Sequence, residues 1–539
     1  MARTTTHSHY EHEEVLGKAY DSRLVTRLAK YMRPHWVLVL VSLVGMIGVA
    51  LTGVMGPKLI QETIDGPIAD GDVDGLMMIA LLYVSVIVLE FFFGFIRTYF
   101  MRLVSTRIMY DLRTQIFSHV QEMSMTFFQR YPVGTIMTRI IGDVEALEEM
   151  FSMGFVAIIG ELFMVLGLIS MMLYMNWRLA CVVLLMLPFI FLASFEFRKR
   201  ARQAYRAIRM RIARVNAYLQ ENITGMRVAK LFLREPRNFR HFDRLNADYR
   251  DEYFRTIYYH AVFYPVIEFL AAVSMSLIVG YGGYLVFNTR METGALIAFI
   301  VLVRRFYHPI MRLSEQYNLM QAAMASSERI FLLLDTPEDM VSEPDALPYR
   351  PLEHEIEFRN VWFAYPNVSK KSSDEGPEWV LKDLSFKLGK GKSLAIVGPT
   401  GAGKTSMVNL LSRLYEVQKG QILIDGTDIR QFDKHELRRN VGVVHQDVLI
   451  FSGTVTENIT LGNEDISHER MVRCAEHVNA AGFVEEMPEG FDSELSERGI
   501  NLSVGQRQLL IFARALAYNP DVLVLDEATS SVDTETELL

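Results

Sequence analysis

The 539-residue chain is read as a multidomain membrane protein: a six-helix all-α transmembrane domain with long helical extensions, followed by an α/β domain built around a phosphate-binding loop. Three observations predict this. Hydrophobic residues make up 50% of the chain and charged residues 22%, and the apolar ones gather in long runs between residues 36 and 325. From about residue 355 the composition becomes that of a soluble domain, after the polar linker DTPEDMVSEPDALPYRP. That second part contains GPTGAGKTS, set between an apolar run and an apolar-periodic helix.

The totals exclude some classes. The net charge of -8 falls mostly on the C-terminal third and the N-terminal tail, and no basic domain offers a nucleic-acid surface, so nucleic acid is set aside as a partner. Cys181 and Cys474 are the only cysteines, one in an apolar run and one in a polar helical stretch, which leaves no disulfide framework. The first residues, MARTTTHSHYEHEE, lack the apolar core of a secretory signal. Residues 1–18 are expected to be a disordered polar tail, in which His7, His9 and His12 are either a metal-binding cluster or plain solvated side chains.

Six apolar segments follow, at about residues 36–57, 75–100, 151–175, 177–195, 261–287 and 293–312. Each approaches or exceeds the ~20 residues a helix needs to cross ~30 Å of hydrocarbon. Because lipid cannot satisfy backbone N–H and C=O groups, continuous helix is expected throughout. The connection QETIDGPIADGDVDG has no Lys or Arg and carries Glu62, Asp65, Asp70, Asp72 and Asp74, so it faces outward. The turns at Asn176 and Asn288 to Glu292 are short, with Arg178 and Arg290 as their only basic residues. Residues 101–150 and 196–260 are long, helical in pattern and rich in Arg, which places them in the cytoplasm. The basic amphipathic stretch SRLVTRLAKYMRPHW is expected along the inner membrane surface.

Two stretches of these inner extensions, FSHVQEMSMTFFQRYPVGTIMTRIIGDVEALEEM and YLQENITGMRVAKLFLREPRNFRHFDRLNADY, resemble the intracellular loops of ABC (ATP-binding cassette) exporters. The resemblance implies short crosswise helices that press on the ATPase domains and carry motion to the membrane. As bare sequence, they fit a solvated Arg-rich stalk equally well.

In the second part, Gly398, Gly401 and Gly403 let the backbone wrap phosphates, and the loop N–H groups with the following helix N-terminus supply positive field. Lys404 reaches the β/γ-phosphates of ATP and Thr405 binds Mg²⁺, with Pro399, Thr400, Ala402 and Ser406 completing the loop. Chance would place such a pattern in roughly one chain in fifty of this length. The apolar run before it is read as a buried strand. PDVLVLDEATSSVD is read as another, ending in Asp526 for the Mg²⁺ shell and Glu527 as the catalytic base that polarises water. Alone, it is also a strand closed by an acidic turn.

NLSVGQRQLLIFARAL resembles the signature motif of ABC ATPases, with Ser503, Gly505 and Gln506 opening a helix toward a phosphate; a plain helix cap would look alike. In that family the motif completes the nucleotide site of the opposite subunit, which implies two ATPase domains head to tail. Other stretches match in family order. Tyr365 resembles the adenine-stacking aromatic, Gln446 the glutamine that approaches Mg²⁺ and senses the membrane domain, SELSERG an exporter-specific loop, and Ser530 to Asp533 a cross-dimer stretch. The resemblance implies a domain of RecA-like core plus helical subdomain over 355–539, preceded by a linker at 331–354 and a transmembrane domain at 19–330.

The signature reads LSVGQ, with Val504 where the family has Gly. The added β-branched side chain is expected to weaken hydrolysis in the partner's site, while Glu527 keeps this chain's own; a heterodimer with a second half-transporter is therefore favoured over a homodimer. The family continues past the position of Leu539 to another strand and a switch histidine, so the nucleotide domain is expected to be incomplete at its C-terminus and poor at hydrolysis. NVSKKSSDEGPEW is read as a polar hairpin tip.

Within the spans, Glu90, Glu161, Glu268, Arg304 and Arg305 are either substrate-cavity residues or paired and solvated charges. The resemblance implies ATP-driven export of a drug-like, lipid or other amphipathic compound across the bacterial inner membrane, with nucleotide domain and N-terminus cytoplasmic. An ATP-gated channel or regulator is the alternative; a soluble DNA-repair-type ATPase is disfavoured by the spans.

Overall fold

The computed structural model describes residues 22–288, 290–338, 340, 345–365, 378–446 and 448–526. Internal contacts divide it into two compact units. One holds the chain up to Phe117 together with Met137–Asp335, and the other holds Ser118–Ile136 and the chain from Thr336. A segment of 19 residues, Ser118–Ile136, within the stretch 19–330 is thus grouped with the nucleotide unit.

The membrane unit is helical. Helix α1 (Ser22–Met32) is followed by α2 (Trp36–Thr63), which closes in a π-helical turn, Ile64–Ile68. Helix α3 (Val73–Glu122) runs 50 residues, about 75 Å at 1.5 Å per residue, so it outlasts the bilayer and continues into water. Two short helices, α4 (Met125–Arg130) and α5 (Val133–Thr138), a π-helical turn (Arg139–Asp143) and α6 (Val144–Glu149) lead back to α7 (Phe155–Met175). Asn176 caps α8 (Trp177–Leu185), its side chain accepting from the Arg178 and Leu179 N–H groups at 3.1 and 3.2 Å. Pro188 stands in the first turn of α9 (Leu187–Thr224), where its missing N–H costs nothing. After α10 (Met226–Leu231) come the two long helices α11 (Glu235–Phe287) and α12 (Thr293–Leu334).

Among the described residues, five helical stretches are long and apolar enough to cross a membrane: Ser22–Ile68, Val73–Glu122, Ile158–Met175, Trp177–Thr224 and Glu235–Phe287. The sixth expected span, 293–312, falls on α12. Its helix α12 packs on α2, α7 and α11, and its Phe299, Leu302, Val303 and Phe306 sit in the core with Leu168, Met172, Leu179 and Ile278. A helix covered by neighbours on several sides need not be greasy all round. Arg305 illustrates this, donating to the Gly53 carbonyl of α2 at 2.7 Å instead of facing hydrocarbon.

At the end of α12, α1 is clamped onto it. Arg27 makes a two-pronged pair with Asp335 at 2.5 and 2.8 Å and lies 4.1 Å over the Phe331 ring, while Tyr31 stacks on Phe331 and donates to Gln115. Nearby, Asp143 is buried and accepts from Ser326 Oγ at 2.9 Å and from Arg329 Nε at 3.0 Å and Nη2.

In the nucleotide unit, β1 (Glu355–Phe363) is central to an antiparallel sheet with β2 (Leu381–Gly389), β3 (Lys419–Ile424) and β4 (Thr427–Asp428), in the order β2-β1-β3-β4. Asp425-Gly426, both left-handed at φ 48° and 80°, make the tight β3–β4 turn. Helix α13 (Lys404–Leu411) packs beneath, in a core of Phe358, Val361, Phe363, Leu410 and Ile422. After α14 (Lys434–Asn440), β5 (Val441–Val444) pairs in parallel with β8 (Val522–Leu525). Between them lie β6 (Gly453–Thr454), α15 (Val455–Thr460), α16 (His468–His477), α17 (Ala481–Glu485), β7 (Glu494–Leu495) and α18 (Val504–Ala517), with a second core around Val455, Ile459, Met471, Val484 and Leu510.

Two sequence expectations are corrected. The run before the phosphate loop is not a buried strand: residues 392–397 form no ladder, and Leu394, Ile396 and Val397 are exposed. Strand β8 is half-covered, with Leu523 and Leu525 exposed. Both have one cause. Among the described residues no strand pairs with 392–397, and β8 pairs on its β5 side alone, so apolar side chains without sheet neighbours remain open. Cys181 and Cys474 are free thiols.

Candidate nucleotide site

The loop of residues 398–406 is shaped by its glycines. Gly401 and Gly403 hold φ of +87° and +91°, which L side chains rarely adopt, and Gly403 is the N-cap of α13. A Cβ on Gly403 would lie 2.6 Å from the Leu381 side chain, so space as well as torsion requires glycine there. The Ala402 N–H bonds the Pro399 carbonyl at 3.1 Å, closing the turn, and Lys404 Nζ folds back to the Gly398 carbonyl at 2.8 Å. Thr400 and Thr405 are exposed at the loop's mouth and helix start, and Ser406 is buried. Left-handed loop, helix N-terminus and lysine together form an anion cradle.

Ser406 has a partner that sequence gave no sign of: its hydroxyl lies 2.9 Å from that of Tyr365, and Asn409 Nδ2 donates to the same phenol at 3.4 Å. Tyr365 also packs edge-on against Tyr415 and Phe363, so its ring is anchored beside the phosphate loop. Gln418 pins the backbone just before it, accepting from the Ala364 N–H at 3.0 Å and donating to the Ala364 carbonyl at 2.9 Å. A lone glutamine carries no motif that would have singled it out.

Asp526 ends β8, its N–H bonded to the Val444 carbonyl at 2.9 Å. Its residue is 9% exposed, and no described side chain or N–H donates to its carboxylate. Asp526 and Thr405 both offer oxygen atoms, the donor type Mg²⁺ prefers. Gln446 is exposed just past β5. Glu527, Ser530 and Asp533 lie outside the described residues, as do the three histidines of the tail and residues 366–377.

Ser503 is the N-cap of α18 within a capping box: its hydroxyl accepts from the Gln506 N–H at 3.2 Å, and Gln506 Oε1 accepts from the Ser503 N–H at 2.9 Å. Gln506 is thus occupied in holding the helix start. Ser503 and Val504 are exposed and Gly505 half-buried. Arg514 secures this helix to the helical layer, donating to the Asn458 carbonyl at 2.8 Å, and burial lowers its pKa.

Two family models match the chain. Residues 39–310 match the model of the ABC transporter transmembrane region, and residues 381–530 match the model described as ABC transporter. The chain is 33% identical over 532 residues to the Bacillus subtilis (strain 168) uncharacterized ABC transporter ATP-binding protein YknV, covering 98% of this chain and 87% of that protein. It is 32% identical over 518 residues to an ATP-dependent lipid A-core flippase of Desulfotalea psychrophila (strain LSv54 / DSM 12343), covering 96% and 89%. It is 30% identical over 521 residues to the B. subtilis putative multidrug export ATP-binding/permease protein YgaD, covering 95% and 88%. A membrane region fused to a nucleotide domain, with relatives spanning both, places this chain in the ABC transporter family as an exporter-type half-transporter.

Proposed function

We propose that the chain is one half of a dimeric pump that uses ATP hydrolysis to export an amphipathic compound, drug-like or lipid, from the cytoplasmic side of the cell membrane. The observation that carries the reading is the placement of Ser118–Ile136 in the nucleotide unit while the chain on either side of it belongs to the membrane unit. A rearrangement around the nucleotide then pulls on α3 and α5 together. Names of relatives point the same way, toward multidrug export and lipid flipping.

In this reading the 398–406 loop and Lys404 hold the ATP phosphates, Tyr365 meets the adenine, and Thr405, Asp526 and Gln446 hold Mg²⁺. The metal would neutralise phosphate charge when bound. Glu527 orients and polarises the attacking water. Ser503 and Gly505 serve the partner's nucleotide, so ATP closes two nucleotide domains against each other and the membrane helices exchange inward for outward access. Val504 places a β-branched side chain at that contact. We favour a heterodimer in which the site completed by this signature hydrolyses slowly.

A pump and an ATP-gated pore differ in whether flux needs hydrolysis. The test is substrate flux in proteoliposomes containing the transporter with Glu527→Gln. Flux should fall to background in the presence of ATP; sustained flux down a gradient would establish the pore instead.

A further inference from the structure

We propose that a row of four basic side chains on α9, Lys199, Arg202, Arg206 and Arg209, is a docking surface for the headgroups of anionic phospholipids where this helix leaves the bilayer. The inference goes beyond the export reading and holds whatever compound the protein moves.

The sequence supplies the charge. From residue 198 to residue 214 the chain carries eight basic residues and no acidic one. The helix then sorts them. At about 100° per residue, Lys199, Arg202, Arg206 and Arg209 fall within an arc of about 80°. Ala201, Ala204, Ile208 and Val215, the buried side of α9, which packs against α11, lie on the opposite side. The four basic residues are exposed, and among the described residues none forms an ion pair or hydrogen bond with them. Their neighbours behave otherwise: Arg200 is held by Glu196 at 2.7 Å and Arg211 by Asp248 at 3.2 Å. On α11, Asp251 and Glu252 are likewise taken up by Arg250 and Arg255. Like charges three and four residues apart destabilise a helix, and an anionic surface turns that cost into attraction.

The same face shows where that surface lies. Phe191, Leu192 and Phe195 precede the row on the same side of α9, at 69, 66 and 56% exposed, within a stretch long and apolar enough to cross a membrane. With Phe195 at the edge of the hydrocarbon, Lys199 lies about 6 Å and Arg202 about 10 Å farther along the axis. Each headgroup layer is about 5–8 Å deep, so these two side chains stand at its level. Arg206 and Arg209 follow one and two turns later, and their long stems reach back toward the layer, within the ~8 Å over which surface charge acts at physiological salt.

A row continuous with lipid-facing rings fits a membrane surface, whereas a soluble polyanion has no use for Phe191 and Phe195. Net charge selects the lipid. A zwitterionic headgroup neutralises its own phosphate, while phosphatidylglycerol leaves its phosphate charge for the arginines.

The experiment places the protein in phosphatidylcholine vesicles containing spin-labelled phosphatidylglycerol or spin-labelled phosphatidylcholine and reads, by electron paramagnetic resonance, how much of each is immobilised at the protein boundary. Wild type should prefer phosphatidylglycerol by about threefold or more at low salt and lose most of that preference near ~1 M NaCl. The fourfold variant Lys199→Gln, Arg202→Gln, Arg206→Gln, Arg209→Gln should bring the two lipids close to parity. Arg202→Lys with Arg206→Lys and Arg209→Lys, which keeps the charge, should retain the preference. So should a control that removes four charges beyond the far end of α9, Arg227→Gln, Lys230→Gln, Arg234→Gln, Arg237→Gln. Equal immobilisation of both lipids by wild type, a preference that survives in the fourfold variant, or one lost equally in the control would overturn the proposal. Loss of the dimer by light scattering in the fourfold variant would overturn it too, assigning the row to a subunit contact.

Discussion

Arg329 and Asp143 join two helices separated by 186 positions of sequence, and removing one partner should be far more damaging than removing both. Asp143 is 5% exposed and receives two contacts from the Arg329 guanidinium and one from Ser326 Oγ. Arg329→Gln leaves that carboxylate buried with the serine alone. Breaking a buried pair this way costs about 3–5 kcal/mol. The arginine side chain is 30% exposed, so water reaches its end of the pair and the cost should lie near ~3 kcal/mol. Arg329→Gln with Asp143→Asn removes the stranded charge, and the double variant should recover about 1–2 kcal/mol relative to the sum of the single ones. The assay is denaturant unfolding of the detergent-solubilised protein, followed as a double-mutant cycle. A cost below about 0.5 kcal/mol for Arg329→Gln, or strict additivity, would refute the account, because an exposed pair behaves that way.

Other expectations follow from single sites. Asp425 is opposed by burial, yet three backbone N–H donors, from Glu353, His354 and Glu355 at 2.6 to 2.8 Å, outweigh that and hold its pKa below the usual value. A depressed folded pKa adds stability above the unfolded value near ~3.9 and loses it as pH falls through the folded one. Asp425→Asn, which keeps the Asx-Gly turn, should lower the unfolding midpoint at neutral pH and flatten its acid dependence below about pH 4. Gly403→Ala forces a side chain into a left-handed position and into Leu381; at about 1–2 kcal/mol for the torsion alone, binding of a fluorescent ATP analogue should weaken roughly 5- to 30-fold or more. Val504→Gly should raise ATP turnover of the assembled dimer if the valine slows the site it completes; unchanged turnover would remove the argument for a weakened site.

Local chemistry explains what was legible in the sequence. The glycines that wrap the 398–406 loop and the helix start at Ser503 are short-range features whose residue types announce their backbone. The basic, amphipathic α1 was legible for the same reason. What it grips was not: Arg27 reaches Asp335 and Arg329 reaches Asp143 only because the fold brings distant turns together. The segment expected as the sixth span lies on α12, whose Phe299, Leu302, Val303 and Phe306 pack in the helical core, and periodicity alone marks such a run as apolar without naming its neighbours. Likewise, the apolar run 392–397 has strand composition, but a strand needs a neighbour, and none of the described residues supplies one. Ser406, Asn409 and Gln418 were missed as partners of the aromatic segment for want of any spacing signal.

The central claim is that nucleotide chemistry reaches the membrane helices through Ser118–Ile136. Phe127, on α4 within that segment, is 4% exposed and packs against Phe128 and Tyr131. The most direct measurement is ATP hydrolysed and substrate moved in the same proteoliposomes, for wild type and Phe127→Ala. The account predicts continued ATP hydrolysis with at least a several-fold loss of substrate moved per ATP; an unchanged ratio at unchanged stability would contradict it.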